Sequence, residues 1–218
     1  GRLPAVGNPE ELLRRIVAAA RRLVGADGSR IDLLDETTNR LRWAFADGAT
    51  AEADARLLRD RGLEMGEGVA GRAAAEGHAV RTGDYLADPD IRHGPAAIAF
   101  VRETGVRSVL STPLPGLGRP LGTLTVLAFR VDAFTDADID LLDTFALQAS
   151  LAITNSRRLQ ALARATEENA RRAATERALR EIAARIGALR DPAEIIQRTV
   201  DEAARLLGAD WARLDVTG

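Results

Sequence analysis

Beyond Phe134 the chain reads "FTDADIDLLDTFALQASLAI" and runs on with nothing to stop a helix before about Leu189. Thr135 stands as the cap and Asp138 three residues on, the spacing of a capping box. At 1.5 Å per residue, roughly 50 residues of helix span about 75 Å. The 218 residues suffice for one or two domains, and a helix of that length is too long to pack on one small domain. Its stripe steps by four and three through Leu141, Phe145, Gln148, Ala152, Asn155, Leu159, Leu162, Thr166, Asn169 and Ala173. It restarts out of phase as Leu179, Ile182, Ile186 and Leu189, as a stutter or stammer makes it do. The pattern predicts a coiled coil with a polar, alanine-rich middle. A solvated single helix is the alternative.

The last segment repeats the first. "DPAEIIQRTVDEAARLLGADWARLDV" (191–216) aligns without gaps on "NPEELLRRIVAAARRLVGADGSRIDL" (8–33), with nearly half the positions identical. Cap chemistry repeats as well: Asp191 for Asn8, Pro192 for Pro9, Glu194 for Glu11. Self-similarity at long period marks duplicated units, and the second copy ends where its first strand should begin. The expected organisation is a complete domain over 1–157, a linker helix over 158–190, and the truncated start of a second domain over 191–218. Gly1 without Met fits a piece of a longer protein.

Between the helices the periodicities change. Residues 8–27 read as an amphipathic helix, with Leu12, Leu13, Ile16, Val17, Ala20, Leu23 and Val24 at helical spacing. Runs at 30–35 and 41–46 flank the turn "ETTNR" as a hairpin. A polar-faced helix follows at about 50–61, a short helix at 69–76 closed by Gly77, and a short strand in "HAVRTGD" (78–84). Residues 85–105 read as irregular with one helical piece, and 106–114 and 119–129 as two strands joined at "PGLGRP".

"GEGVAG" (66–71) fits G-x-G-x-x-G, which after a buried strand holds a dinucleotide pyrophosphate on a helix N-terminus. Here "ARLLRDRGLEM" precedes it, charged and helical, and no further βα unit follows. Asp90, near the place of a ribose-binding acid, sits beside Pro89 in irregular chain. The glycines are expected to permit a tight turn into a short helix.

The segments "MGEGVAGRAAAEGHAVRTGDYLADP", "GVRSVLSTPLPGLGRPLGTLTVLAF" and "FTDADIDLLDTFALQASLAI" together resemble the GAF domain family over about residues 8–157, in family order. The resemblance implies an α+β fold: a central antiparallel β-sheet flanked by helices, followed here by the long coiled-coil helix. It places the N- and C-terminal helices on one face and a ligand pocket, roofed by 62–105, on the other. It further implies a sensory module of a larger signal-transduction protein, foremost a sensor histidine kinase of a two-component system. Such a module is expected to form a homodimer through its terminal helices, with a second GAF domain and an effector domain in the parent chain.

Composition narrows the chemistry. The net charge of −2 gives no basic field for nucleic acid or anionic lipid. The 30 basic residues are all arginine, scattered along helical faces. No Cys is present, which excludes disulfides, thiol catalysis and a bilin thioether; methionine sulfoxide reductases of GAF type depend on Cys. The longest apolar stretch, 144–156, is shorter than a membrane span. With no signal peptide in "GRLPAVGNPEE", a cytoplasmic location is expected.

His78 and His93 are the only histidines, and neither has a metal-ligand partner at standard spacing. No catalytic constellation and no metal site are expected. Haem is not expected either: the place before "RSVLSTPL", where the resemblance puts its ligand, reads "RETGV". The cyclic-nucleotide signature of the family is matched only by Phe134 and Asp138, which also serve as core anchor and cap acid. The cofactor is left open. The candidate pocket residues are Tyr85, Ile91, His93, Ile98, Phe100, Arg107, Val109 and Ser111, with Arg107 able to fork onto an anionic group. The expected function is ligand sensing relayed through a dimeric helix. A structural dimerisation module with an empty pocket, and a cyclic-nucleotide-binding GAF domain, are the alternatives.

Overall fold

The computed structural model describes residues 9–188 and 192–208, and the chain divides into two compact units between Arg158 and Leu159. The expected Asn8 and Asp191 caps, Leu189 of the seam, and the start of a strand after 208 lie outside the described residues.

In the first unit, helix α1 (Pro9–Val24) buries Leu13, Ile16, Val17, Ala20 and Val24. Strands β1 (Gly28–Asp35) and β2 (Arg40–Gly48) form the expected hairpin. Its turn is held by Asp35 Oδ1, which accepts from the amides of Thr37 and Thr38 at 2.9 and 3.2 Å. Helix α2 (Ala51–Leu58) leads to β3 (Leu63–Glu64), then to α3 (Gly68–Glu76) and β4 (Val80–Thr82). β3 has only two residues, too few for an alternation to register in the sequence. Helix α4 (Pro95–Thr104) orders the part of 85–105 expected to be helical; Pro95 opens it, and left-handed Gly105 closes it with its amide on Val101 O. Strands β5 (Ser108–Leu114) and β6 (Gly122–Ala128) complete one antiparallel sheet in the order β3-β2-β1-β6-β5-β4.

Strand alternation separates the two faces. Ile31, Leu110, Leu114, Leu124 and Val126 point to α1 and to the long helix α5 (Asp136–Ala188). α5 starts as the sequence predicts: the amide and Oγ1 of Thr135 both reach Asp138 Oδ2, at 2.7 and 2.8 Å. Phe134 is buried in the same core. The stripe of α5 buried in this core is Leu142, Ala146, Ala149 and Ile153. The expected seam lies beside it: Leu141, Phe145 and Ala152 are half-buried, and Gln148 and Asn155 are exposed. Leu147 and Leu151, outside that seam, are 63% and 61% exposed.

In the second unit α5 continues to Ala188, and α6 (Pro192–Leu207) follows. Leu159, Leu162, Leu179 and Ile182 are exposed, as are Thr166 and Asn169. Arg171, Arg172 and Arg180 pair with Glu167, Glu168 and Glu176 one turn before them. With the acid N-terminal at i,i+4, these pairs support a solvated helix. Among the described residues no helix is long and apolar enough to cross a membrane.

Candidate functional site

The sheet face opposite α1 and α5 carries α2, α3 and α4 and a second core, in which Val69, Tyr85, Ile91, Phe100, Val101, Val109 and Leu127 are buried. Into this face β1 sends two charges. Arg30 and Asp32 stand two residues apart, so both side chains take the same side of the strand. Arg30 Nε donates to Asp32 Oδ2 at 2.8 Å, and Arg30 Nη1 donates to Asp54 Oδ1 of α2 at 2.9 Å. Arg30 is 6% exposed, Asp32 2% and Asp54 not at all. Burial alone would pull the Arg30 guanidinium down; the carboxylates of Asp32 and Asp54 outweigh it and hold the group above its ordinary range. Burial pushes the Asp54 carboxyl up, against the pull of Arg30.

Hydroxyl groups line the sheet beneath this network. Arg30 pairs across the ladder with Thr125 and Asp32 with Thr123, while Thr125 pairs with Ser111 of β5. Ser111 Oγ and Thr125 Oγ1 share a hydrogen bond of 2.8 Å. On the other flank, a bulge between Ile31 and Asp32 brings Trp43 opposite Asp32. The Arg59 guanidinium lies 4.4 Å from the Trp43 ring centre. Trp43 Nε1, Asp54 Oδ2 and Thr123 Oγ1 are buried with no hydrogen-bond partner among the described residues.

A cavity opens beside Arg30, walled by Leu58, Tyr85, Phe100, Val109 and Leu127, with Gly68 at its edge. Its volume is ≈ 20 Å³, room for a single water. Tyr85 is 4% exposed, and burial pushes its hydroxyl up to about 12, Arg30 opposing and Glu67 assisting. The glycines of "GEGVAG" shape this wall. Gly68 has φ +63°, and a Cβ there would stand 2.9 Å from Tyr85 Oη; a Cβ on Gly71 would stand 2.3 Å from Glu64 O. Gly68 does open a helix, but β3 before it pairs antiparallel with β2, so no βαβ unit surrounds the motif.

Of the candidate residues, Tyr85, Phe100 and Val109 line the cavity. Ile91 is packed in the core around it, and Ile98 is half-buried on α4. Ser111 lies on the hydroxyl floor and is not on the cavity wall. His93 packs its ring 4.9 Å from that of Tyr85 and lines a separate groove with Glu64, Glu67 and Arg92. Arg107 is half-exposed and is not on the cavity wall: its Nε donates to Asp84 Oδ1 at 3.1 Å, and this bonding holds Asp84 below the usual carboxylate range. Its expected role as an anion fork in the pocket passes to no residue read from the sequence. The charged group at the cavity is Arg30, whose signal was an Arg and an Asp two apart inside the apolar run "SRIDLLD". Among the described residues no group of His, Asp and Glu is arranged to hold a metal.

A family model described as GAF domain matches residues 7–154. No curated protein matches the chain. Among solved structures, the GAF domain from a phosphoenolpyruvate-protein phosphotransferase of Coxiella burnetii superimposes with a TM-score of 0.59 at 21% identity, over 72% of this chain and 89% of that one. A free methionine-R-sulfoxide reductase from Neisseria meningitidis, solved with its substrate, gives 0.57 at 24%, over 70% and 81%. Residues 122 to 287 of a methyl-accepting chemotaxis protein give 0.56 at 24%, over 71% and 93%.

Proposed function

This chain belongs to the GAF domain family, and from that premise we propose that it is a sensory module that binds a small ligand beside Arg30 and relays occupancy through α5. The reading is not enzymatic. The observation that carries it is the buried network of Arg30, Asp32 and Asp54, of which Arg30 lines a cavity. A core kept only for stability has little use for such a network, because an apolar replacement of a buried ion pair is often as stable or more so.

The relay rests on α5. Its buried stripe packs on the same β5–β6 strands that carry Val109 and Leu127 on their opposite face. Homodimerisation through α1 and α5 supplies the second state, with Gln148, Asn155, Thr166 and Asn169 lowering the preference for one helix register. The parent protein is then a signalling protein, a histidine kinase foremost, with a second GAF domain beginning at α6. The likeness to a chemotaxis protein supports the signalling context.

A structural dimerisation module with a filled interior is the second reading, and the small cavity favours it. A cyclic nucleotide has no room there in this conformation. Native mass spectrometry of the chain purified without refolding separates the readings. A stoichiometric small molecule, released on denaturation, is expected of a sensor; the bare mass at every preparation, with no ligand found by screening, counts for the structural module.

A further inference from the structure

The hairpin that joins β5 to β6 carries the most exposed large apolar side chain among the described residues. Leu117 is 98% exposed, at the tip of "PGLGRP". Resting on the proposed homodimer, we infer that this tip is its second contact: Leu117 of each chain enters the groove beside Leu147 of the other, reciprocally across a two-fold axis.

The tip is built to hold its shape. Leu121 N donates to Leu114 O at 2.8 Å and closes the turn. Gly118 has φ +76°, and a Cβ on Gly116 would stand 2.3 Å from Arg119 O. Pro115 and Pro120 restrict the chain on either side. Arg119 Nη2 donates to Asn39 Oδ1 at 2.9 Å and ties the loop to the β1–β2 turn. A leucine on a turn fixed in this way has little chain freedom to lose on binding. Within its own domain Leu117 belongs to no buried cluster.

The receiving groove lies next to it. An open groove of ≈ 620 Å³ separates the hairpin from α5, and Ala79, Pro113, Pro120 and Leu147 are on its wall. Gly116 and Gly118 form the rim, but Leu117 between them does not line the groove, so its side chain points away from it. A patch that holds a projection beside a recess is complementary to itself, and a two-fold axis fills both recesses at once. An extended peptide in the groove would leave Leu117 in water. Charge agrees with a second copy: the wall carries Arg119 and Asp143, one of each sign, while His78 stands 3.3 Å from Glu76. Two such patches can set opposite charges against each other. The groove also continues the exposed apolar stripe of α5, for Leu147 lines it and Leu151, one turn on, is 61% exposed.

The chain has no Cys, so single introduced thiols report the contact. Leu117→Cys and Leu147→Cys variants of chain 1–218 are purified separately, mixed, allowed to exchange and treated with a short bismaleimide. Peptide mass spectrometry is expected to find 117 joined to 147 of the other chain, and not 117 to 117. Leu117→Ser, with circular dichroism unchanged, should weaken the dimer in sedimentation equilibrium by about 100-fold, roughly tenfold for each of the two leucines withdrawn from water. A dimer with no 117–147 product, or with its affinity unchanged in Leu117→Ser, would overturn the hairpin contact and leave the helical interface standing. An unaltered chain that is monomeric at every concentration would overturn both.

Discussion

Arg30 Nη1 and Asp54 Oδ1, 24 residues apart in sequence, meet at 2.9 Å inside the domain and tie the first strand to the helix that covers it. The contact is almost closed to water, with side-chain exposures of 8% and 0%. Loss of one member leaves the other buried and partly unpaired, which is costly where an exposed pair would be worth little. Asp54→Ala should therefore destabilise the chain by about 3 kcal/mol, the range for breaking a buried pair. Urea denaturation followed by circular dichroism measures it. Glu11→Ala, which removes the exposed partner of Arg15, should change stability by no more than about 0.5 kcal/mol.

Tyr85 is the only tyrosine, so its ionisation can be read from ultraviolet absorbance without ambiguity. In the folded chain it should titrate at about 12, against 10.0 for a free tyrosine. A pKa raised on folding means that the folded state holds its proton longer. The stabilising contribution is complete below pH 10.0 and is lost as pH rises through the folded value of about 12. A midpoint near 10 in the folded protein would show the hydroxyl to be solvated.

The glycines of "GEGVAG" should rank by what surrounds them. Gly66 has φ +81° and nothing near its missing Cβ, so Gly66→Ala should cost only the left-handed strain, about 1–2 kcal/mol. Gly68→Ala adds contact with the Tyr85 hydroxyl. Gly71 lies within α3, where propensity alone would make alanine stabilising by about 1 kcal/mol. The backbone oxygen of Glu64 stands in the way, so Gly71→Ala should instead destabilise. Thermal unfolding of the three variants gives the order, and a stabilised Gly71→Ala would contradict the close approach.

The proposed dimerisation through the outer face of α1 and α5 would place Leu147 and Leu151 in the interface. Both are exposed, so charge there leaves the core untouched. The double variant Leu147→Arg, Leu151→Arg should be a folded monomer by analytical ultracentrifugation, with the unaltered chain a dimer. A dimer that survives the substitutions would move the interface elsewhere.

Much of this fold was legible because its signals are local. The Thr135–Asp138 cap, the left-handed Gly77 and Gly105 at helix ends, and the hairpin of β1 and β2 follow from residues within a few positions of one another. The site was less legible because its parts come from distant segments. Arg30 and Asp32 have the period of a strand face, but nothing near them in sequence announces Asp54 on the next helix. Arg107, an equally plausible arginine by sequence, is drawn outward by Asp84. The expected seam of α5 runs beside the stripe at Leu142, Ala146, Ala149 and Ile153 that the sheet buries, so its residues stay half-buried or exposed.

Whether the buried charges serve a ligand or the fold is tested most directly by removing all three at once. Urea denaturation and ligand binding of the triple variant Arg30→Met, Asp32→Leu, Asp54→Leu provide the comparison. If the network exists for binding, the variant folds with stability equal to the unaltered chain or higher by about 1–4 kcal/mol, as for other apolar replacements of buried ion clusters, and the small molecule that native mass spectrometry finds on the unaltered chain is absent from it. A variant that is unfolded, several kcal/mol less stable, or still carrying that small molecule would contradict the account.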